Sequence, residues 1–259
     1  MKNMKKALAA FLFLILAGCV TQDTLRRDTI YQASTLDALL SGNYEAFIEF
    51  SELKKHGDFG LGTFDNLDGE MAALDGEFYQ IKSDGVVYPV TPDMKTPFAD
   101  MIFFKTDISF DIKKDATCEE VIDEITKRLP SGSIFYAVRV DGSFEKLQLR
   151  SVPAQKEPFP GLLEAVKSKT VFNYENVSGT MLGFWFPDFM QGASITGFHF
   201  HFLSDDRTKG GHLLACKLKE GKVKIDYATN LILKLPETDK YMSKKNINDN
   251  LTSKGVSYH

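Results

Sequence analysis

The sequence predicts an α/β (α+β) protein in two parts, a mixed-sheet α/β portion followed by a mainly antiparallel β portion. Two observations predict this. Helical spacing of apolar residues is confined to the first two thirds, as in "TCEEVIDEITKRLP", where Val121, Ile122, Ile125 and Leu129 share one face. From about Val171 onward the chain is a series of short alternating segments with turns between them: "TMLGFWFPDFM", "ITGFHFHFL", "HLLACKL", "KVKIDYA" and "LILKL".

The first eighteen residues are set apart from the fold. Lys2, Lys5 and Lys6 precede the apolar run "ALAAFLFLILAG", which has the length of a signal peptide and is short for a bilayer span. It ends in "LAGC", a pattern similar to a bacterial lipobox, in which cleavage leaves Cys19 carrying lipid. The expectation is an exported lipoprotein held on a membrane surface by its acyl chains. Residues 19–33 then read as a polar tether. "STLDALLSGNYEAFIEFSELKKHG" reads as one helix, with Ser34 as N-cap and Gly57 as stop. "GEFYQIKSDGVVYPV" predicts a hairpin turning at Asp84-Gly85, and "MIFFKTDISFDI" a strand. Thr117 and Glu120 form a capping-box pattern. "IFYAVRVDGSFEKLQLRSV" predicts a second hairpin at Asp141-Gly142, and "PGLLEAVKSK" a short helix. The expected organisation is a signal segment over 1–18, a tether over 19–33, an α/β domain over 34–170 and a β-rich metal-binding domain over 171–259.

Without residues 1–18 the chain carries 28 basic and 35 acidic side chains, a formal charge of −7. It has no basic run, which excludes a nucleic-acid partner, since phosphate contacts supply most of that affinity. A bridge between Cys118 and Cys216 is open to so few cysteines, but the composition predicts free buried thiols.

"GFHFHFLSDDRTKGGH" holds three of the five histidines. Residues i and i+2 of a strand face the same way, about 6.7 Å apart. His199 and His201 therefore aim at one point while Phe198, Phe200 and Phe202 pack the other face. "SDDRTKGG" reads as a hairpin loop that returns His212 beside them. A lone histidine on a strand is ordinarily structural, and H-x-H alone is weak. The third imidazole at hairpin-return distance makes a tridentate set of the kind that binds zinc. Cys216 lies about 13 Å along the strand from His212, too far for the same metal, and reads as core. Asp65, Asp68, Glu70, Asp75 and Glu77 could supply oxygen ligands, but composition does not say which turns inward. Arg150 ends a strand.

Four segments, "GTFDNLDGEMAALDGEFYQ", "FYAVRVDGSFEKLQLRSVPAQKEPF", "VFNYENVSGTMLGFWFP" and "GFHFHFLSDDRTKGGHLL", together resemble the bacterial α-acetolactate decarboxylase family. The resemblance implies a two-domain α/β fold, pairing as a homodimer, and decarboxylation of α-acetolactate (2-hydroxy-2-methyl-3-oxobutanoate) to (R)-acetoin through a metal-stabilised enediolate. It places Zn2+ on His199, His201 and His212. It puts a glutamate bordering the metal at Glu70, the substrate-carboxylate arginine at Arg150, and a pocket threonine at Thr63. No thiamine or nicotinamide is implied, and no Gly-rich dinucleotide fingerprint is present.

One departure stands out. Family members carry a second functional glutamate near the C-terminus, and its place here falls close to Tyr258 and His259, whereas Glu237 comes too early. Activity is then reduced, or His259 or its α-carboxylate substitutes, or water takes that place. The departure keeps open a second reading, a catalytically weakened lipoprotein that binds metal or a small ligand on the same scaffold.

Overall fold

A computed structural model describes residues 28–237 of the chain. The lipobox with Cys19, and the tail with Tyr258 and His259, lie outside the described residues. The expected tether needs correction at its end, because residues 29–33 form strand β1 (Thr29–Ala33). Ile30 and Ala33 are fully buried there. Five residues are too few for alternation to stand out from a polar stretch.

The expected helix over 34–57 is two short helices, α1 (Leu36–Leu40) and α2 (Phe50–Leu53), with β2 (Ile48–Glu49) before the second. Thr35, not Ser34, caps α1, its hydroxyl accepting from the Ala38 amide at 3.2 Å. Gly42 takes φ +79°, the left-handed conformation that ends a helix and that a side chain would resist. β3 (Phe59–Thr63), β4 (Glu70–Leu74), β5 (Glu77–Ile81) and β6 (Val87–Pro89) follow as an antiparallel meander, with the expected hairpin at Asp84-Gly85. β7 (Lys95–Thr96) pairs with β2. The expected single strand "MIFFKTDISFDI" is two, β8 (Ala99–Ile102) and β9 (Ile108–Ile112), in different sheets.

β10 (Ala116–Thr117) leads into α3 (Cys118–Thr126), whose capping box of Thr117 and Glu120 is present. The hairpin expected at Asp141-Gly142 is absent: β11 (Phe135–Ser151) runs straight through. Asp141 does not turn the chain but accepts from Arg139, Thr180 and Lys224 at 2.8–3.0 Å. Gly142 is needed for close approach instead: a β-carbon there would lie 2.5 Å from the Glu220 carbonyl oxygen. After α4 (Leu162–Ala165) come β12 (Thr170–Phe186), β13 (Gly197–Ser204), β14 (Gly210–Ala228) and β15 (Asn230–Lys234).

Two sheets carry the fold. The first is mixed, ordered β15-β1-β8-β3-β4-β5-β6, with β15 parallel to β1. The second is antiparallel, ordered β10-β14-β11-β12-β13, with β9 also on β14. β13 pairs with both β12 and β14, so these strands and β11 close on themselves. The α+β class therefore holds, but the expected boundary at 170/171 does not separate two sheets. β11 and β12 are paired from Ser151↔Thr170 to Tyr136↔Trp185, and the chain changes sheet between β8 and β9. The sheets pack on one another through Ile30, Phe59 and Leu61 on one side and Leu182, Phe184 and Leu203 on the other.

Cys118 and Cys216 form a disulfide, which corrects the expectation of free thiols and of Cys216 as plain core. Register explains it. β10 pairs Ala116 with Leu218 and Thr117 with Lys217, so the next step brings Cys118 against Cys216. The bridge closes a loop of sequence separation 98. Cys118→Ser is expected to cost about 2–4 kcal/mol of stability, read from urea denaturation without reductant. An unchanged midpoint would mean that the bridge does not form.

Candidate active site

The site lies where the two sheets meet, near the ends of β4, β11, β13 and β14. Alternation along β13 puts Phe200 and Phe202 into the core of the second sheet, so His199 and His201 face the opposite way. The turn after Ser204 returns β14 in a register that sets His212 opposite His201, with Arg150 of β11 on its other side. The three histidines thus converge as their spacing predicts. One ligand-capable atom from each lies within 4.8 Å of the others, and His199 Nε2 is 3.1 Å from His212 Nδ1.

The donor set fits a metal ion. Burial pushes all three imidazoles well down, His201 to about 3, so all are neutral near pH 7 with lone pairs to offer. His201 Nδ1 is 2.7 Å from the Met71 carbonyl oxygen. That oxygen can only accept, so Nδ1 carries the proton and Nε2 is left facing inward. The Met71 carbonyl has no signature in sequence, because any residue at that strand position would supply it.

Among the acidic residues of the 62–80 segment, Glu70 is the one turned into this seam. Asp65 accepts from the Ala46 amide, Asp68 pairs with Lys82, Asp75 with Arg139, and Glu77 with Lys54. Glu70 Oε2 lies 3.4 Å from His201 Nε2, and Oε1 lies 3.3 Å from Arg150 Nη1. Burial raises its carboxyl to about 7, with the Arg150 guanidinium pulling the other way. Thr63 sits opposite Glu70 in the β3–β4 pair. Its hydroxyl donates to the Gly69 carbonyl at 2.7 Å, so its proton closes the connecting loop.

That loop, residues 64–69, is strained. Asn66 and Leu67 have φ of +58° and +60° in succession. Asparagine tolerates this region, but leucine there costs about 1–2 kcal/mol. Leu67 is buried against Tyr44, Phe98 and Val152, which offsets the strain.

Fold and site together define a two-sheet α+β protein with a three-histidine centre that could hold a metal ion, flanked by a carboxyl and a guanidinium. The family model described as alpha-acetolactate decarboxylase matches residues 30–247, and the chain belongs to that family of carboxy-lyases. An alpha-acetolactate decarboxylase of Methanosarcina mazei is 46% identical over 209 residues, covering 81% of this chain and 73% of that one. One from Bacillus licheniformis is 42% identical, covering 83% and 85%. The crystal structure of alpha-acetolactate decarboxylase from Bacillus subtilis strain 168 superposes with a TM-score of 0.83 at 40% identity, covering 87% of this chain and 96% of that one.

Proposed function

We propose that this chain is a zinc-dependent enzyme that decarboxylates α-acetolactate to (R)-acetoin, with His199, His201 and His212 as the metal ligands. The observation that carries this reading is the convergence of three neutral imidazoles, Glu70 and Arg150 in one buried seam. Zinc held there would supply Lewis-acid polarisation of the substrate's ketone and hydroxyl oxygens. Arg150 grips the substrate carboxylate through directed, charge-assisted hydrogen bonds, taking up a charge now shared with Glu70. Loss of carbon dioxide leaves an electron pair on the adjacent carbon, and a proton must reach one face of it. Glu70 lies within the seam, and burial favours its protonated form, so it can hold and deliver that proton at Oε1 or Oε2.

The test is acetoin formation from racemic acetolactate, with zinc measured on the same sample. Zinc near one per chain together with turnover supports the reading. Bound zinc without acetoin above the spontaneous rate would sink it and favour a binding role.

We also propose that the protein is exported, anchored through lipidated Cys19, and acts as a homodimer. The Cys118–Cys216 bridge supports export, because disulfides persist in oxidising compartments. Cys19→Ala should release the protein from the membrane fraction; retention there would remove the anchor. Light scattering of the purified protein reads the dimer, and a monomer mass would exclude it.

A further inference from the structure

We infer that Leu67 is a positioning residue: a buried, left-handed anchor through which the 64–69 loop sets Glu70 against Arg150 and His201. The inference rests on the decarboxylase reading for its kinetic consequence but not for its geometry.

Four observations carry it. The loop has only six residues in which to reverse the chain so that Glu70 comes to lie opposite Thr63. It does so with two consecutive left-handed residues, and the second, Leu67, has no polar side chain to reward that conformation. Strain of this kind persists only where the surroundings over-determine it. Here they do: the Asn66 amide donates to the Tyr44 carbonyl at 2.9 Å, the Gln155 amide to the Asn66 carbonyl at 2.8 Å, and the Gly69 amide to the Val152 carbonyl at 3.0 Å.

The fourth observation gives the strain a purpose. Leu67, 4% exposed, packs in one cluster with Val152, and Val152 stands two residues beyond Arg150. Val152 therefore meets the loop twice, by its carbonyl on the Gly69 amide and by its place in the apolar cluster that buries Leu67. Glu70 follows Gly69 directly, and its carboxyl meets Arg150 at 3.3 Å and His201 at 3.4 Å. The apolar anchor thus joins the chain segment that carries the carboxyl to the one that carries the guanidinium.

The test uses the purified, metal-loaded protein and three variants. Leu67→Gly accepts the left-handed backbone freely but deletes the anchor; Leu67→Asn does the same with a side chain present; Leu67→Met keeps an apolar anchor. The expected result is a fall in kcat of about tenfold or more in Leu67→Gly, with KM and bound metal per chain near wild type, because small misplacements at a reacting centre are costly. Leu67→Met is expected to stay within about threefold of wild type. The second readout is the visible spectrum of the cobalt-loaded protein. Its bands are expected to move in both Glu70→Gln and Leu67→Gly, and to stay in place in Leu67→Met.

A Leu67→Gly protein with wild-type kcat and spectrum would overturn the inference. So would a loss of activity matched by an equal loss of folded, metal-loaded chain. Should Leu67→Gly not fold, Leu67→Asn is read in the same way. Wild-type protein that makes no acetoin would end the decarboxylase reading alone, and the spectra would then decide the role of Leu67 by themselves.

Discussion

His199→Ala and His201→Ala are both expected to lose bound metal and to lower kcat/KM by about 10^2–10^4-fold, the scale of removing the principal electrostatic stabiliser from an active site. Their stabilities should separate. His201 is 1% exposed and donates Nδ1–H to the Met71 carbonyl, so its removal takes away a buried hydrogen bond. That costs about 0.5–1.5 kcal/mol in addition to the lost packing. His199 has no such backbone bond among the described contacts, and its imidazole faces His212. Zinc content, kinetics and thermal denaturation of both variants check this. Full zinc binding in His199→Ala would remove it from the ligand set. Equal melting temperatures would mean that the Met71 contact does not hold His201 in place.

Arg150→Ala is expected to lower kcat/KM by a comparable amount. A hydrogen bond between charged groups contributes about 1.5–3 kcal/mol, and a carboxylate gripped by a guanidinium fork can make two. That amounts to about 10^2–10^4-fold. Arg150→Lys should recover part of it, since the charge remains but the fork is lost. A second consequence follows from the ion pair. The Arg150 guanidinium opposes the effect of burial on Glu70, so its removal pushes the Glu70 carboxyl further up and keeps it protonated to higher pH than in the wild type. The alkaline limb of the pH–rate profile should therefore move up in Arg150→Ala, while the maximal rate falls. Steady-state kinetics across pH reads both. A kcat/KM within about threefold of wild type would show that Arg150 does not bind the substrate carboxylate.

The parts of this protein legible from sequence are those in which the deciding partners are near one another in the chain. The α3 capping box needs only Thr117 and Glu120. The Asp84-Gly85 hairpin joins neighbouring strands, and the turn from Ser204 to Gly210 brings His212 back beside His201 within eleven residues. Two-residue alternation then places His199 and His201 on the face opposite the phenylalanines. The failures share the converse property. Asp141-Gly142 carries a turn signature, yet Thr180 and Gly179 on one side and Lys222 and Gly221 on the other hold it extended. The long helix over 34–57 fails at Gly42, where the chain meets the 159–160 segment.

By itself, then, the sequence determined the strand periodicity, the hairpin that gathers three imidazoles, and a family resemblance that named the substrate class. The tertiary structure alone decided which of five nearby acids faces them, that Met71 orients His201, that Cys118 meets Cys216 across 98 residues, and that β1 is an interior strand of the first sheet. The physical reason is the range of the interactions. Alternation, caps and turns are written in neighbouring residues. Burial, which raises Glu70 and keeps the histidines neutral, comes from the other sheet, and no local pattern encodes which sheet that will be.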